Sequence, residues 1–269
     1  MHSLLKTTIL GCGSSGGVPR IDGDWGACDP NNKKNKRTRC SLLVERITEN
    51  KRTVVLIDTS PDMRQQLLNA NVDHLDAVLY THDHADQSGG IDDLRVFALR
   101  KMSRVNVYLD KDTANRLIPR FSYCFKSGEK SGYPSILSEN IINPYEELTI
   151  NGPGGEINFT PFLQNHGSIF SLGYKYFNIA YSSDVVDFPV KSLSLLNNLD
   201  YWIVDALRLT PHPTHAHLDL TLKWINEYKC KNAYLTNMHI DLDYDYLTNN
   251  LPNNVLPSYD GLSFDITID

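Results

Sequence analysis

A short run rich in histidine and aspartate, residues 80–87, constrains this chain of 269 residues more than any other stretch. It follows the apolar run 76–80, which predicts a buried strand, and it precedes a Gly-Gly turn. His82, His84 and Asp86 are spaced two residues apart, so the end of a strand can point all three side chains into one small volume. Imidazole and carboxylate groups that converge in this way bind divalent metals. The alternative is a polar surface loop in which these residues fall together by chance.

The run Thr81-His82-Asp83-His84-Ala85-Asp86 resembles the His-x-His-x-Asp-His signature of the metallo-β-lactamase-fold hydrolases. The resemblance implies that His82 and His84 ligate one metal, and that Asp86 and the following residue ligate a second. That following residue is Gln87 here, whose amide oxygen is a weaker ligand than an imidazole. The implied fold class is α/β, an αββα sandwich of two facing mixed sheets flanked by helices, and we expect it to span residues 1–269 as a single domain.

Three further loops match positions of the same family. His166 follows a predicted strand, where the family carries the third histidine of the first metal site. Asp184 ends a Tyr-Ser-Ser-Asp run similar to the family's Tyr-Ser-x-Asp, whose aspartate bridges two metals; a bridging carboxylate can hold two cations about 3.5–4 Å apart. Asp58 closes another apolar run, and the resemblance implies that it accepts a hydrogen bond from a ligand histidine. A simple helix-capping region is the alternative for Asp58.

The last predicted strand ends in Leu235-Thr236-Asn237-Met238-His239, where the family usually carries Leu-Thr-His. Read without gaps, the expected histidine is Asn237, and His239 lies two residues further on. We predict His239 as the ligand because imidazole binds metal better and strand parity puts both residues on one side. Asn237 remains the alternative.

The resemblance implies two divalent ions as cofactors, Zn²⁺, Mn²⁺ or both. Three imidazoles favour zinc at the first site. The second site is richer in oxygen, with Asp86, Asp184 and Gln87, and also suits manganese. We place Asp86 among the catalytic residues as well as among the ligands.

Three histidines lie within residues 210–220, just before an amphipathic helix. In phosphodiesterase branches of this fold, a histidine in such a position lies near the metals and protonates the leaving oxygen or binds phosphate. The run His217-Leu218-Asp219-Leu220 is similar to the phosphoribosyl cyclic phosphate phosphodiesterase (PhnP-like) branch. We therefore expect His217 to be the catalytic proton donor, Asp219 to orient it and His215 to bind substrate. Exposed histidines at the start of a helix are the alternative.

A glycine-rich turn at residues 11–17 follows the first predicted strand and contains Gly-x-Gly-x-x-Gly. A dinucleotide-binding turn would require a helix to start inside that motif, whereas another Gly, a Pro and a long polar loop follow here. The hydroxyls of Ser14 and Ser15 could instead meet a substrate phosphate. Arg95 could reach the same phosphate from a predicted helix, with a solvent-exposed salt bridge as the alternative.

These residues predict a metal-dependent hydrolase. A divalent metal lowers the pKa of a bound water from about 15.7 towards 7, which supplies a hydroxide nucleophile at neutral pH. The predicted reaction is cleavage of a small cyclic phosphate or nucleotide-like phosphodiester. Two other classes stay open: a different hydrolase of the same fold, acting on a thioester, a lactone or the 3′ end of transfer RNA, and a non-catalytic nucleotide or metal binder. The tRNA enzyme is expected to carry a protruding basic arm, and no such insertion is visible.

Composition limits the partners. The net charge of −6 argues against a surface for long nucleic acids, which are held mainly by phosphate neutralisation. Apolar runs are too short for a membrane span, and no signal-peptide core precedes residue 7, so we expect no membrane partner and a cytoplasmic location. Five cysteines without close pairs predict reduced thiols, and we predict no structural zinc. A homodimer stays open.

The hydrophobic pattern also predicts individual elements. Strands are expected near 7–10, 40–45, 53–58, 76–80, 105–109, 157–163, 172–176, 178–181, 201–204 and 232–236. Helices are expected near 61–69, 91–102, 111–118, 191–198 and 216–228. The aromatic and glycine-rich segment 119–135 shows no period, and we interpret it as a flap over a pocket or as a packing loop.

Overall fold

The computed structural model describes residues 2–126 and 134–268. They form two compact units. The first comprises the described parts of Met1–Leu10, Ser41–Asn158 and Ser263–Asp269, and the second comprises Gly11–Cys40 and Phe159–Leu262. The expectation of a single domain stays a prediction. Residues 127–133 of the predicted flap lie outside the described residues.

Fourteen strands are found in the described parts of the chain. They are β1 Ser3–Gly11, β2 Ser41–Thr48, β3 Lys51–Ile57, β4 Ala77–Leu79, β5 Val105–Leu109, β6 Leu137–Ile141, β7 Leu148–Ile150, β8 Ile157–His166, β9 Ile169–Tyr176, β10 Ile179–Ser182, β11 Tyr201–Asp205, β12 Asn232–Thr236, β13 Val255–Pro257 and β14 Leu262–Ile268. One seven-stranded sheet has the order β14-β1-β2-β3-β4-β5-β6, and the other has the order β13-β12-β11-β10-β9-β8-β7. Both sheets are mixed, since β2–β3 and β9–β10 pair antiparallel whereas β3–β4–β5 and β10–β11–β12 run parallel.

Eight α-helices are described. They are α1 Met63–Asn69, α2 Ala85–Ser88, α3 Arg95–Lys101, α4 Lys111–Arg120, α5 Ser122–Phe125, α6 Val190–Leu196, α7 Leu218–Glu227 and α8 Tyr244–Asn250. Short 3₁₀ turns at Lys33–Asn35 and Ile91–Leu94 complete the regular structure. Two mixed sheets flanked by helices confirm the predicted α/β fold class. Among the described residues, no helix has the length and apolar character that crossing a bilayer requires.

The core of the first unit explains why its central strands are nearly free of polar residues. All three residues of β4 are buried, and so are the last five of β3. A parallel strand covered on both faces needs a continuous apolar run rather than an alternating one. Side chains of α1, α3 and α4 pack on this sheet, among them Met63, Ala98 and Leu117. The sheet is therefore a fixed base for the loops that follow its strands.

Parallel neighbouring strands end at the same edge of a sheet, and this brings polar residues together in each unit. In the first unit, β3 ends before Asp58 and β4 ends before residues 80–84. In the second unit, β10, β11 and β12 end at or just before Asp184, Asp205 and Asn237. Asp58, Asp184 and Asn237 have positive φ angles of 64°, 50° and 60°. Asp and Asn adopt this left-handed conformation more readily than most residues, and here it turns the chain sharply at the strand ends.

Candidate metal sites

The histidine run of the first unit lies between β4 and α2. His82 is fully buried, whereas His84 is exposed and occupies the N-cap position of α2. The two ring centroids are 4.5 Å apart with planes inclined by 72°. The structure thus brings the first two predicted ligands close together, with the His82 ring buried and the His84 ring exposed to solvent.

A hydrogen-bond relay behind His82 fixes its tautomer. The carboxylate of Asp58 accepts from the backbone N–H of Thr81 at 2.8 Å and from the Thr81 hydroxyl at 2.9 Å. Thr81 Oγ1 lies 3.0 Å from His82 Nδ1. Because the hydroxyl proton is given to Asp58, His82 Nδ1 carries the proton of the second bond, and Nε2 keeps its lone pair. A direct hydrogen bond from a ligand histidine to Asp58 stays a prediction, whereas these bonds connect Asp58 to His82 through Thr81.

Asp86 and Gln87 follow in the first turn of α2. Gln87 is fully buried, and its Nε2 lies 3.4 Å from Asp86 Oδ2. Gln87 Oε1 is buried with no hydrogen-bond partner in residues 2–126 and 134–268. A buried acceptor left in this state costs free energy unless a cation or a donor satisfies it. This orphaned oxygen fits the predicted role of Gln87 as an oxygen ligand.

The second unit contains a compact group of two carboxylates, an imidazole and an amide. Asp184, Asp205 and His215 each offer a ligand atom, and these atoms lie within 4.8 Å of one another. His215 Nδ1 is 2.8 Å from Asp205 Oδ2 and 3.5 Å from Asp184 Oδ1. Asn237 donates from Nδ2 to Asp184 Oδ1 at 2.6 Å and lies 3.1 Å from His215 Nδ1. We call these four residues the carboxylate group.

His166 adjoins this group at the end of β8. Its Nδ1 is 2.8 Å from the carbonyl oxygen of Thr214, which can only accept, so Nδ1 is protonated and Nε2 keeps its lone pair. The rings of His166 and His215 are 4.7 Å apart, and the ring of His212 is 5.2 Å from that of His215. Burial, followed by the neighbouring charges of His215 and Arg208, lowers the pKa of His212.

In each unit, taken by itself, the chemistry of the donor atoms suits a divalent cation. His82 and His166 both present Nε2 with its lone pair, the form in which imidazole ligates metal. Asp205 Oδ1 is buried without a hydrogen-bond partner among the described residues, and Asp184 is buried as well. Buried carboxylates are expected to be paired or to coordinate metal. The mixture of imidazole nitrogen and carboxylate oxygen suits zinc, and the oxygen donors also suit manganese.

The two candidates for the last ligand have different surroundings. Asn237 belongs to the carboxylate group, next to Asp184 and His215. His239 instead has Nδ1 2.6 Å from Asp241 Oδ1, and its Nε2 is hydrogen-bonded by Arg20. Both ring nitrogens of His239 are thus engaged, whereas the Asn237 amide touches a predicted ligand. Ligation by His239 stays a prediction, and the structure adds an argument for Asn237.

His217 and Asp219 lie at the start of α7. His217 is the N-cap residue, is half-buried, and makes no side-chain capping bond. Asp219 is exposed in the first turn. Within the described chain, no hydrogen bond joins their side chains, so the predicted orienting role of Asp219 has no direct contact behind it. The orienting contact seen here belongs to His215, which is held by Asp205.

The predicted substrate-binding residues differ in their surroundings. Ser14 is buried and hydrogen-bonded through its backbone N–H to Met238, whereas Ser15 is exposed. Arg95 pairs with Asp92 at 2.6 Å at the start of α3, which is the salt bridge named as its alternative. His215 lies in the carboxylate group. Binding of substrate by any of these residues stays a prediction.

Asp205 was missed by sequence reasoning. It ends β11, is fully buried, accepts from the backbone N–H of Val185 at 3.1 Å, and holds His215. The signal was present, because the apolar run Tyr201-Trp202-Ile203-Val204 ends in an aspartate just as other strands end in predicted ligands. Without a family motif at this position, nothing separated it from a loop residue.

The fold and these donor groups define a metallo-β-lactamase-fold hydrolase. Residues 53–240 match the family described as the Beta-lactamase superfamily domain, and the chain belongs to this family. The family match confirms the resemblance drawn from residues 81–86.

Three proteins of known structure or curated function are similar to this chain. A crystal structure described as a new diphosphatase from the PhnP family is 31% identical, covers 100% of this chain and 99% of its own, and superposes with a TM-score of 0.88. A curated octanoyltransferase from Porphyromonas gingivalis is 31% identical over 96% of this chain, which spans only 51% of that protein's length. Zn²⁺-bound PqqB from Methylobacterium extorquens, at 17% identity and a TM-score of 0.69, covers 99% of this chain and 100% of its own and shares the fold.

Proposed function

We propose that this protein is a metal-dependent phosphodiesterase that cleaves a small cyclic phosphate or a nucleotide-like phosphodiester. The observation that carries the proposal is the carboxylate group, where Asp205 orients His215 beside Asp184 in a buried setting. Likeness over the whole chain to a diphosphatase of the PhnP family supports a phosphorus-centred substrate. The proposed metal ligands are the set expected from the sequence: His82, His84, Asp86, Gln87, His166 and Asp184, with Asn237 or His239.

A bound divalent cation would supply Lewis acidity and lower the pKa of a water molecule towards neutrality. The protein's own residues set the conditions for this chemistry. Asp58 and Thr81 hold His82 in the tautomer that leaves the lone pair on Nε2. The Thr214 carbonyl does the same for His166. His217 is the proposed donor of a proton to the departing oxygen, since general acids contribute about 10²–10⁴-fold to such reactions.

The test is a metal-dependent activity measurement. Protein stripped by a chelator and reloaded with Zn²⁺ or Mn²⁺ should hydrolyse bis(p-nitrophenyl) phosphate and a ribose cyclic phosphate, and it should lose this activity when stripped again. His82→Ala should abolish metal-dependent turnover. The matched control is His74→Ala in the same unit, because His74 is partly exposed and pairs with Asp73. Stoichiometric metal binding without turnover of either phosphodiester would contradict the proposal and favour a metal binder.

A second candidate function is hydrolysis of an acyl thioester. The similarity to a curated octanoyltransferase favours it, although the chain corresponds to about half of that protein. The same reloaded enzyme should then be assayed with an octanoyl thioester alongside the phosphodiesters. A higher kcat/KM on the thioester would replace the phosphodiesterase proposal with this one.

The substrate class, the number of metal ions, the location and the partners are also proposals. A small phosphorylated substrate, two metal ions, a cytoplasmic location and the lack of long nucleic-acid or membrane partners are consistent with the proposed reaction. A homodimer stays open. Metal analysis by mass spectrometry and sedimentation of the reloaded protein would measure the stoichiometry and the oligomeric state directly.

A further inference from the structure

Asp83 lies between His82 and His84, and two arginines of α4 hold it. Arg116 and Arg120 are four residues apart, so they lie on the same face of the helix, one turn from each other. Arg116 Nε is 2.6 Å from Asp83 Oδ1, and Arg120 Nη2 is 2.7 Å from Asp83 Oδ2. Both carboxylate oxygens are therefore occupied by guanidinium groups. We call these three residues the arginine clamp.

The clamp reaches the backbone as well. Arg120 Nη2 also donates to the carbonyl oxygen of Asp83. The Ser88 hydroxyl lies 3.2 Å from that same oxygen and 2.8 Å from the carbonyl oxygen of His84. The tripeptide His82–His84 is consequently held at its central side chain and at two of its carbonyl groups, while Thr81 holds the His82 ring.

The contribution of exposed ion pairs to folding stability does not by itself account for this arrangement. Ion pairs between exposed side chains contribute little to stability, and here both arginines are around 40% exposed. Asp83 is different, because only 10% of its side chain is exposed and it stands between two predicted ligands. A carboxylate free to rotate there could bind a cation itself or compete for the ring N–H groups of its neighbours. Two guanidinium groups and a fixed backbone prevent both.

We propose that Arg116 and Arg120 are positioning residues that preorganise His82 and His84 for metal binding by fixing Asp83 between them. The inference rests on the proposed function only in taking these two histidines as metal ligands. Neither arginine is proposed to contact the metal or the substrate. Both act through the loop, as residues behind metal ligands commonly do.

Zinc titration of the full chain, stripped of metal, tests the clamp. Removing groups behind metal ligands typically costs 10–100-fold in metal affinity, and we expect the double variant Arg116→Gln/Arg120→Gln to bind Zn²⁺ about that much more weakly. Arg64→Gln on α1 is the matched control, because Arg64 is exposed and has no ion pair within the described residues. Its zinc affinity should match the parent protein within twofold.

Conservative variants separate positioning from folding. Lysine keeps the positive charge but lacks the planar guanidinium group, so Arg116→Lys and Arg120→Lys should each retain more zinc affinity than the corresponding glutamine variant. Circular dichroism of the metal-free proteins should show unchanged secondary structure. If the double variant fails to fold, Arg116→Gln alone provides the test. This single variant is also expected to bind Zn²⁺ more weakly than the parent protein.

The outcomes distinguish the two proposals. Equal zinc affinity in the parent and in the folded clamp variants would overturn the clamp and leave the proposed function standing. If the clamp variants bind Zn²⁺ more weakly than the parent but the parent does not hydrolyse a phosphodiester, the proposed function is overturned and the clamp proposal stands. A parent protein that binds no zinc at all would overturn both.

Discussion

Asn237 donates a hydrogen bond from its side-chain amide to Oδ1 of Asp184 over 2.6 Å, and both side chains are buried. The bond orients a carboxylate that also lies 3.5 Å from His215. A hydrogen bond from an amide donor fixes the orientation of a carboxylate, as bonds behind metal ligands commonly do. Asn237 therefore supports Asp184 whether or not it is itself a ligand.

Replacing Asn237 with glycine, which adopts its φ of 60° without strain, should destabilise the metal-free protein by about 1.5–3 kcal/mol, the cost of losing a hydrogen bond to a buried charged group. Urea unfolding in the presence of a chelator measures this. Asn250→Ala is the control, because the Asn250 amide bonds an exposed carbonyl of α8 and should contribute less than about 0.5 kcal/mol. Equal losses in the two variants would show that the contact with Asp184 carries no special weight.

Thr81→Val should weaken zinc binding by about 10–100-fold, because it breaks the relay from Asp58 to His82 while keeping the size of the side chain. Calorimetric titration of stripped protein gives the affinity. Thr248→Val removes an exposed hydroxyl of α8 and should leave the affinity unchanged. Zinc affinity that survives Thr81→Val would mean that the relay does not control the His82 ring.

His217→Ala should retain bound metal and lose most phosphodiester turnover, about 10²–10⁴-fold, if this residue is the general acid. His215→Ala should behave differently, because it leaves buried Asp205 without its imidazole partner. That variant should lose both metal affinity and activity. Metal content and kcat measured on the same preparations compare the two, and full turnover by His217→Ala would remove His217 from the mechanism.

Burial raises the pKa of Asp260 from 3.8 to about 6, although Thr38 and Cys12 donate hydrogen bonds to its carboxylate. The folded protein thus binds a proton between about pH 4 and 6 that the unfolded chain has released. The stability linked to this proton is complete below pH 4 and is lost as the pH rises through about 6, by about 3 kcal/mol in all.

Asp260→Asn does not titrate and should lack this dependence. Urea unfolding of both proteins with chelator at several pH values between 4 and 7 measures the difference in their stabilities. That difference should shift against the parent protein as the pH rises. A difference that is flat across this window would place the pKa of Asp260 close to its ordinary value.

The strand-and-loop framework of the chain could be predicted from its sequence because the local pattern was strong. The strand at Val105–Leu109 and the strand at Asn232–Thr236 have the predicted bounds. Several short elements gave no such signal. Strand β7 has three residues, and β14 alternates without a dense apolar run, so neither stands out from a loop before its partner strand is known.

The candidate site shows the same division between local and tertiary information. The resemblance to the family's motifs was enough to propose His82 and Asp184 as ligands, and each lies two or three residues after the end of a buried strand. The partners behind them were not predictable. Thr81 links Asp58 to His82, and Asp205 supports His215. Both contacts depend on which strands are neighbours and on which loop residues pack against the strand ends, and local sequence does not show this.

The left-handed backbone at Asp58, Asp184 and Asn237 decides how these positions should be mutated. Alanine at such a φ adds conformational strain to the loss of the functional group, so an inactive alanine variant has two explanations. Glycine adopts the same angles without strain and deletes the side chain alone. Comparing Asp184→Ala with Asp184→Gly would therefore separate the effect of losing the carboxylate from the effect of straining the turn.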